Sequence, residues 1–508
     1  MSTDVSRRQA LSCLLPSFRG LEAPRWVLDL CREGLGGVVV FGGNVASPGQ
    51  LSELCARLGD GRPELILAMD EEGGDVTRLH MATGAWAPGN RALGAVDDVS
   101  ATEDVAREMA RELRACGLTM TLAPGADVAA DERNPVVGVR SFGADPALVA
   151  RHSAAFVSAV QREGIAACAK HFPGHGGTHG DSHRTLPTVD ATEATVRRRD
   201  LPPFQAAIDA GVLAVMTAHV CVPAFDSQPA THSARILTRL LREEMGFEGV
   251  VVSDALDMAG ASGGIGVPGA AVRALAAGVD ALCLGPQPDR ADVLAIRDVI
   301  VDAVEREELD IARLASAARR VAALGAWTAH RDASGTCAPN PRVGLAAARR
   351  ALSVRGDARL SVPPIVLELR PEPTIPAGRA HWGIADTLAA LWPATRAQLV
   401  DGPQPPGGVS DALASHQQRP VVVVLRDSAR NDWELGLLHE ALSARPDAVV
   451  VELGVPGELP PVAALVMTHG ASLSSSLAAT EALTGATVVA PPPFVPPSAR
   501  TAGRVESR

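Results

Sequence analysis

The hydrophobic residues of the N-terminal two thirds of this chain fall into short apolar runs that alternate with amphipathic segments. The runs are continuous and lack a polar residue at every second position, which indicates strands buried on both faces, as in a parallel sheet covered by helices. Eight runs follow this pattern, at residues 11–15, 37–41, 65–69, 118–122, 165–169, 213–217, 250–253 and 280–284.

Amphipathic segments between these runs predict helices at residues 102–116, 145–162, 235–245, 269–277 and 290–306. Eight buried strands that alternate with helices are typical of a (β/α)8 TIM-type barrel, and we assign residues 1–328 to it. An open, doubly wound sheet is the alternative that the same order of elements allows.

A second series of elements follows a polar, proline-containing stretch at residues 329–341, which we interpret as a linker. The pattern of residues 342–490 predicts a smaller α/β sandwich domain. This part of the sequence has no phosphate-binding glycine motif. Its predicted strands are 365–369, 421–425, 448–453, 464–468 and 487–489, and its predicted helices are 344–352, 433–442 and 475–483. The proline-rich tail at residues 491–508 predicts disorder.

The net charge and the lengths of the apolar runs limit the classes of partner that we expect for this protein. The net charge of −11 gives no broad attraction to nucleic acid or anionic membranes, so a small molecule is the expected partner. No apolar run approaches the roughly 20 residues that span a bilayer. The apolar run after Arg7 and Arg8 is short and lacks an evident cleavage site, so we expect a cytoplasmic protein.

The eight cysteines lie singly in apolar surroundings and form no CxxC pair. This pattern predicts reduced, buried thiols and neither a disulfide framework nor a zinc site. Tyrosine is absent, which excludes it as a nucleophile or acid.

Polar residues directly follow several of the predicted barrel strands. Asp70 follows the third strand, Lys170 and His171 the fifth, His219 the sixth and Asp254 the seventh. Because the carboxyl ends of barrel strands meet on one face, these residues predict a site there. Asp254 is the leading candidate, since a carboxylate fixed at a strand end can attack or stabilise an electrophilic carbon.

The segment 170–187, KHFPGHGGTHGDSHRTLP, carries four histidines at a spacing of four residues. On a helix that spacing would suggest a metal site, but Pro173 and the glycines argue against a helix, so we expect a mobile loop. Within it Asp181 and His183 form a plausible proton shuttle, because a carboxylate can fix the tautomer of an imidazole that titrates near neutrality.

Five polar residues, three of them at the strand ends named above, are candidates for binding a hydroxyl-rich substrate. Their carboxylate and basic groups suit sugar hydroxyls and an N-acyl carbonyl. They are Asp70, Arg78, Arg140, Lys170 and His171.

Several motifs resemble glycoside hydrolase family three, in its bacterial β-N-acetylglucosaminidase branch. They are DEEGGDVTR at Asp70, LAPGADV at Leu122, NPVVGVRSFG at Asn134, KHFPGHG at Lys170 with DSH at Asp181, and GVVVSDALDM at Gly249. The resemblance covers the whole predicted barrel, and KHFPGHG followed by DSH is specific by itself.

The resemblance implies a retaining exo-glycosidase that releases terminal N-acetylglucosamine from cell-wall or chitin-derived oligosaccharides through a covalent intermediate. It implies Asp254 as nucleophile, His183 as acid/base and Asp181 as the partner that orients His183. It also implies that the five binding candidates hold the terminal sugar, and it implies no metal or organic cofactor. The family usually reads DQEGGRV after the third strand, and Glu71 and Asp75 depart from it, so we expect the charge change at Asp75 to alter what lies beyond the first sugar.

Three alternatives remain open on the sequence alone. A phosphorylase would use the same residues with phosphate as acceptor, since a neutral histidine repels phosphate less than a glutamate would. A metal-dependent barrel hydrolase would use the loop histidines as ligands. A binding protein that has lost catalysis would keep the pocket without turnover.

Overall fold

The computed structural model describes residues 3–330, 339–404, 407–414 and 418–488. Its N-terminal two thirds are built on short parallel strands with one antiparallel hairpin. The strands are β1 Leu14–Leu15, β2 Gly37–Val40, β3 Ile66–Met69, β4 Met120–Thr121, β5 Ala166–Phe172, β6 Ala214–Thr217, β7 Cys221–Val222, β8 Asp226–Pro229, β9 Val250–Ser253 and β10 Leu282–Cys283.

Backbone pairing closes the parallel strands into a barrel. One sheet runs β2-β3-β4-β5-β6-β9 and a second pairs β1 with β10. A parallel bridge between Val252 and Ala281 joins β9 to the segment that enters β10, and the Val39 amide donates to Pro16 O at 3.0 Å beside β1. The predicted (β/α)8 barrel is therefore confirmed, and the open-sheet alternative is wrong.

Helices surround this barrel. They are α1 Thr3–Ser12, α2 Arg25–Glu33, α3 Pro48–Leu58, α4 Asn90–Val96, α5 Val99–Ala115, α6 Pro146–Arg162, α7 Glu193–Arg199, α8 Leu201–Asp209, α9 Ala259–Ser262, α10 Gly266–Ala277, α11 Arg290–Glu305 and α12 Ile311–Ala329, with a π-helix at Arg235–Glu244. Several begin at an acidic cap: Asp145 accepts from the Ala147 amide at 3.1 Å where α6 starts, which satisfies an amide that has no partner within the helix.

The strand side chains divide between two apolar layers. Val39, Ala68 and Val252 point into the barrel interior, whereas Val38 and Leu67 pack beneath the surrounding helices. Because both sides of each strand are covered, the strands read as unbroken apolar runs.

Some predicted strand limits differ from the structure. The first strand was predicted at residues 11–15, but α1 extends to Ser12 and leaves only Leu14–Leu15 in β1. The fifth was predicted to end at residue 169, but β5 continues through Phe172, so Lys170 and His171 belong to a buried strand and not to a loop.

The C-terminal part of the chain contains the strands β11 Ser353–Gly356, β12 Ile365–Arg370, β13 Arg396–Asp401, β14 Val421–Leu425, β15 Val449–Glu452 and β16 Ala464–Met467. They form a mixed sheet in the order β11-β16-β15-β14-β12-β13, in which only the β11 and β16 pair is antiparallel. Helices cover both faces, which confirms the α/β sandwich. The helices are α13 Pro341–Ala351, α14 Ala385–Leu391, α15 Gly408–Ala414, α16 Asp432–Ala444 and α17 Leu473–Thr484.

The apolar pattern missed the two edge strands of this sheet. β11 and β13 are largely exposed and polar, so they carry no apolar run. A strand was predicted at residues 487–489, but Thr487 and Val488 lie outside any strand, and Val489 falls outside the described residues.

The domain limits 1–328 and 342–490 stay predictions. α12 ends at Ala329 and α13 begins at Pro341, while most of the predicted linker 329–341 and all of the tail 491–508 lie outside the described residues. Within the described ranges, no helix combines the length and apolarity needed to cross a membrane.

The seven cysteines that the structure describes form no disulfide with one another, and Cys337 lies outside the described residues. Six are buried, as predicted, but Cys221 is half-exposed. Burial raises the thiol pKa, for example to about 12 at Cys55.

Candidate active site

A cavity of about 380 Å³ lies at the carboxyl ends of the barrel strands. The structure brings seven of the eight predicted site residues to its lining, namely Asp70, Arg78, Arg140, Lys170, His171, His183 and Asp254. The eighth, Asp181, contacts His183 from behind. The predicted residues therefore belong to one site, although they come from four different strand ends or loops.

Asp254 directly follows β9, and its Oδ1 accepts the Ala255 amide at 2.8 Å. Burial by itself would raise the pKa of Asp254, but the nearby imidazoles of His219, His171 and His183 outweigh burial and lower it to about 2. His219, which follows β6, is fixed by Thr231 at 2.8 Å and by the Ala255 carbonyl at 3.1 Å. The carboxylate is thus ionised and rigidly mounted.

A chain of alternating charges forms one wall of the cavity. The Lys170 ammonium lies 2.6 Å from Asp70 Oδ1 and 2.7 Å from Glu72 Oε1. Arg140 donates two hydrogen bonds to Glu72, at 3.0 and 2.8 Å. Burial opposes charge on Glu72, but Arg140 and Lys170 hold the pKa of Glu72 far below its ordinary range. Each buried cation therefore has a carboxylate partner.

His171 is held by a carboxylate that follows β4. Its Nδ1 lies 2.7 Å from Asp127 Oδ2, and the His175 amide donates to Asp127 Oδ1 at 2.7 Å. Its Nε2 lies 3.3 Å from Arg140 Nη2, on the side of the cavity. Asp127 therefore fixes the orientation of the His171 ring toward the candidate site.

Asp181 and His183 are in contact, as their spacing suggested. Asp181 Oδ1 accepts both the His183 amide at 2.9 Å and the His183 ring Nδ1 at 2.7 Å. This contact leaves His183 Nε2 free to face the cavity, and both side chains are about one fifth exposed. Burial would raise the pKa of Asp181, but hydrogen bonds from His183 lower it.

The loop that carries His183 is hydrogen-bonded to the barrel at several points. Asn134 donates to the carbonyls of His175 and Thr178 at 3.0 and 2.8 Å. The Gly260 amide donates to Ser182 O at 3.2 Å, and the Cys221 amide donates to Pro187 O at 2.8 Å. The loop is therefore anchored at these points, and its predicted mobility stays a prediction.

The C-terminal domain reaches the cavity. Ile375, Pro376 and Gly378, from the segment after β12, are among the lining residues. Arg78 Nη2 donates to Pro376 O at 2.8 Å. The two domains therefore share the wall that carries one of the predicted sugar ligands.

The two departures from the family motif take part in structural contacts. Glu71 accepts the backbone amides of Arg78 and Leu79 at 2.8 and 3.1 Å. Asp75 Oδ2 pairs with Arg426 of the C-terminal domain at 2.6 Å, and its Oδ1 accepts the Ala471 amide at 2.9 Å. Asp75 is thus engaged with the second domain, and its predicted effect beyond the first sugar stays a prediction.

Glu72, Asp127 and His175 are not among the eight predicted site residues, although His175 is one of the four loop histidines that the sequence analysis noted. Glu72 and Asp127 stood within the motifs at Asp70 and Leu122, so their position just after strands was an available signal. His175 is fully enclosed, with Ser182 at 3.0 Å and Thr178 at 2.9 Å from its two ring nitrogens. Among the described residues, no group of three or more His, Cys, Asp or Glu side chains is placed to hold a metal ion.

The sequence of the barrel matches a known protein family. Residues 22–324 match the glycosyl hydrolase family 3 N terminal domain, which is more than half of the chain. The chain belongs to glycosyl hydrolase family 3. The family predicted from the motifs is thereby confirmed.

Two curated relatives within glycosyl hydrolase family 3 are named β-hexosaminidases. Beta-hexosaminidase A of Pseudoalteromonas piscicida is 35% identical over 345 residues, which is 62% of this chain but only 56% of that protein. The β-hexosaminidase of Chromobacterium violaceum is 42% identical over 267 residues, covering 51% of this chain and 74% of its own.

A solved structure resembles both domains of this family 3 chain. The glycoside hydrolase family 3 β-N-acetylglucosaminidase of Paenibacillus sp. str. FPU-7 superimposes with a TM-score of 0.85 and 31% identity. The match covers 95% of this chain and 97% of that chain. The combination of barrel and sandwich is therefore shared with a known family 3 protein.

Proposed function

We propose that this protein is a retaining exo-β-N-acetylglucosaminidase that removes terminal N-acetylglucosamine from small oligosaccharides derived from cell walls or chitin. The observation that carries the proposal is the convergence of Asp254 and His183 on one cavity that also holds the five predicted sugar ligands. The names of the β-hexosaminidase relatives and of the Paenibacillus structure support it.

In the first step, the Asp254 carboxylate attacks the anomeric carbon while His183 donates a proton to the departing oxygen. The low pKa of Asp254 suits this role, because the attacking group is ionised throughout the neutral range. Asp181 binds the Nδ1–H of His183 and so leaves Nε2 as the atom that exchanges the proton.

In the second step, His183 takes a proton from water, and the resulting hydroxide releases the sugar from Asp254. The usual glycosidase scheme employs two carboxyl groups. Here an imidazole replaces the second one. Such proton transfer contributes about 10²–10⁴-fold to the rate of a typical enzyme.

The terminal sugar is held by Asp70, Arg78, Arg140, Lys170 and His171. Lys170 and Arg140 are neutralised by Asp70 and Glu72, so the pocket presents hydrogen-bonding groups without a large net charge. Such a pocket suits the hydroxyl and N-acyl groups of an uncharged sugar.

Hydrolysis is favoured over the phosphorylase alternative, since the two curated relatives are named hexosaminidases and the Paenibacillus protein is named a β-N-acetylglucosaminidase. Product analysis for sugar 1-phosphate, in phosphate and in a non-nucleophilic buffer, separates the two acceptors. The cytoplasmic location stays a prediction.

The specificity is tested by comparing an aryl N-acetyl-β-glucosaminide with the matching aryl β-glucoside. We expect a strong preference in kcat/KM for the N-acetyl sugar, because the pocket has donors suited to the N-acyl carbonyl. Equal values for the two donors would contradict the assignment.

A further inference from the structure

A second cavity of about 280 Å³ adjoins the candidate active site. Asp257 lines both cavities, so the two spaces meet at this side chain. The second cavity lies between α10, α11 and the segment after β10, and its walls include Val267, Pro268, Leu284 and Ile296. It is therefore a mainly apolar space that opens beside the catalytic residues.

Asp257 occupies the junction without capping a helix. It lies three residues after Asp254, and the next helix, α9, has Met258 at its N-cap. Its carboxylate packs against the Cα of Gly285: a Cβ there would approach Asp257 Oδ1 to 2.1 Å, and Gly285 has a φ of +89°. Because Gly285 has no side chain, there is room beside it for the Asp257 carboxylate.

Asp257 lines the first cavity together with Asp254 and His183. Its side chain is exposed, so its carboxylate is open to solvent as well as to the cavity. In the proposed reaction, Asp254 and His183 act on the two ends of the bond that breaks. A side chain near both, in a cavity that leads outward, is adjacent to the departing group.

Electrostatics along this path disfavour an anion. Among the described residues that line the second cavity, the charged side chains are Asp257 and Asp292, and none is Lys, Arg or His. In the first cavity, Lys170 and Arg140 are already paired with Asp70 and Glu72. Arg78 lies on the side of Asp70, 3.8 Å from its carboxylate, and donates to Pro376 O. A carboxylate on the leaving group would therefore meet negative charge in the second cavity, where none of the described lining residues is a cation.

We infer that the second cavity is the subsite for the leaving group, and that Asp257 makes it selective for an uncharged sugar over a sugar that bears a carboxylate. This inference rests on the proposed function and narrows its substrate class to neutral, chitin-type oligosaccharides. The same charge opposes phosphate as an acceptor at this position.

The test uses two aryl N-acetyl-β-glucosaminides, 4-nitrophenyl and 3-carboxy-4-nitrophenyl, and measures the ratio of kcat/KM for the anionic donor to that for the neutral one. Asp257→Asn is expected to raise this ratio about fivefold at low ionic strength, and less at high salt, since an exposed charge is screened. The matched control is Asp302→Asn on the exposed face of α11, which changes the net charge equally and leaves the ratio unchanged.

A second variant allows the inference to be tested even if Asp257→Asn does not fold. Gln287 is exposed at the second cavity, and Gln287→Lys adds a cation there, which is expected to raise the same ratio. An unchanged ratio in both variants would overturn the inference. Failure of the unmodified protein to cleave the neutral donor would instead contradict the proposed function.

Discussion

At the scale of single residues, His183 and Asp254 are held in different ways. Asp254 is attached to the end of a barrel strand, whereas His183 lies on a loop and is oriented by Asp181 at 2.7 Å. This difference fits their proposed roles, because a nucleophile needs a fixed position and a proton carrier acts on both the leaving group and water.

We expect His183→Ala to slow cleavage of sugar leaving groups by about 10²–10⁴-fold and that of activated aryl leaving groups far less, because good leaving groups need little protonation. The measurement is kcat/KM across aryl donors whose leaving groups differ in pKa, together with a chitooligosaccharide. His179→Ala, at an exposed position on the same loop, is the control. A uniform loss across all donors would contradict the role of His183 as the acid.

Site residues that directly follow a strand could be predicted from the sequence. Site residues whose side-chain direction depends on the conformation of a turn could not. Asp70 and Asp254 follow apolar runs directly, so they could be predicted. Whether Glu71 or Glu72 faces Lys170 depends on how the chain turns at Gly73 and Gly74, which both have positive φ. A linear pattern does not contain that information.

At the scale of elements, β5 shows where hydrophobicity fails as a guide to strand length. The apolar run stops at residue 169, yet the strand continues because the buried Lys170 is neutralised by Asp70 and Glu72, and because His171 is hydrogen-bonded to Asp127. Burial of a charge becomes tolerable when partners are present, and those partners come from other strands. Tertiary contacts therefore extended an element beyond its sequence pattern.

The loop after β5 is expected to make the protein less stable in mild acid. His175 is enclosed between Ser182 and Thr178 and faces His171, Asp127 and Arg140. Burial lowers its pKa from 6.5 to about 4. Between these two values the unfolded chain binds more protons at this residue than the folded protein does, so stability falls as the pH falls from 6.5 to 4.

The lowered pKa of His175 should by itself reduce the free energy of unfolding by about 2 kcal/mol when the pH falls from 7 to 5. Urea unfolding of the protein and of His175→Gln at both pH values measures it, and the variant should lose that part of the pH dependence. His179→Gln, which removes an exposed histidine of the same loop, should retain it. An identical pH dependence in all three proteins would show that His175 is not responsible.

At the scale of the whole molecule, the sandwich domain supports the loop after β3, which carries Asp70 and Arg78. Arg426 binds Asp75 across the domain boundary and stacks on Trp382 at 4.7 Å. The existence of a second α/β domain could be predicted from its apolar strands. The contact could not, since Asp75 and Arg426 are 351 positions apart.

We expect Arg426→Ala to lower the unfolding free energy by about 3–5 kcal/mol, because it leaves the Asp75 carboxylate buried without an opposite charge. KM should rise as well, since the loop also positions Arg78. Denaturant unfolding and steady-state kinetics measure the two effects. Arg133, whose pair with Asp432 also joins the two domains but is exposed, gives the matched control, and Arg133→Ala should cost less than about 1 kcal/mol.

The double exchange Asp75→Arg with Arg426→Asp restores an opposite pair in reversed orientation and should recover part of the lost stability. Equal stability losses in Arg426→Ala and Arg133→Ala would contradict a special role for the buried pair.

The central claim is that Asp254 forms a covalent bond to the sugar, and trapping that intermediate tests it most directly. The protein is incubated with a slow fluorinated N-acetylglucosaminyl donor, and intact mass followed by peptide mapping locates the label. We predict one added sugar per chain, on Asp254, and none on Asp254→Asn. Label on another residue, or full turnover by Asp254→Asn, would contradict the account.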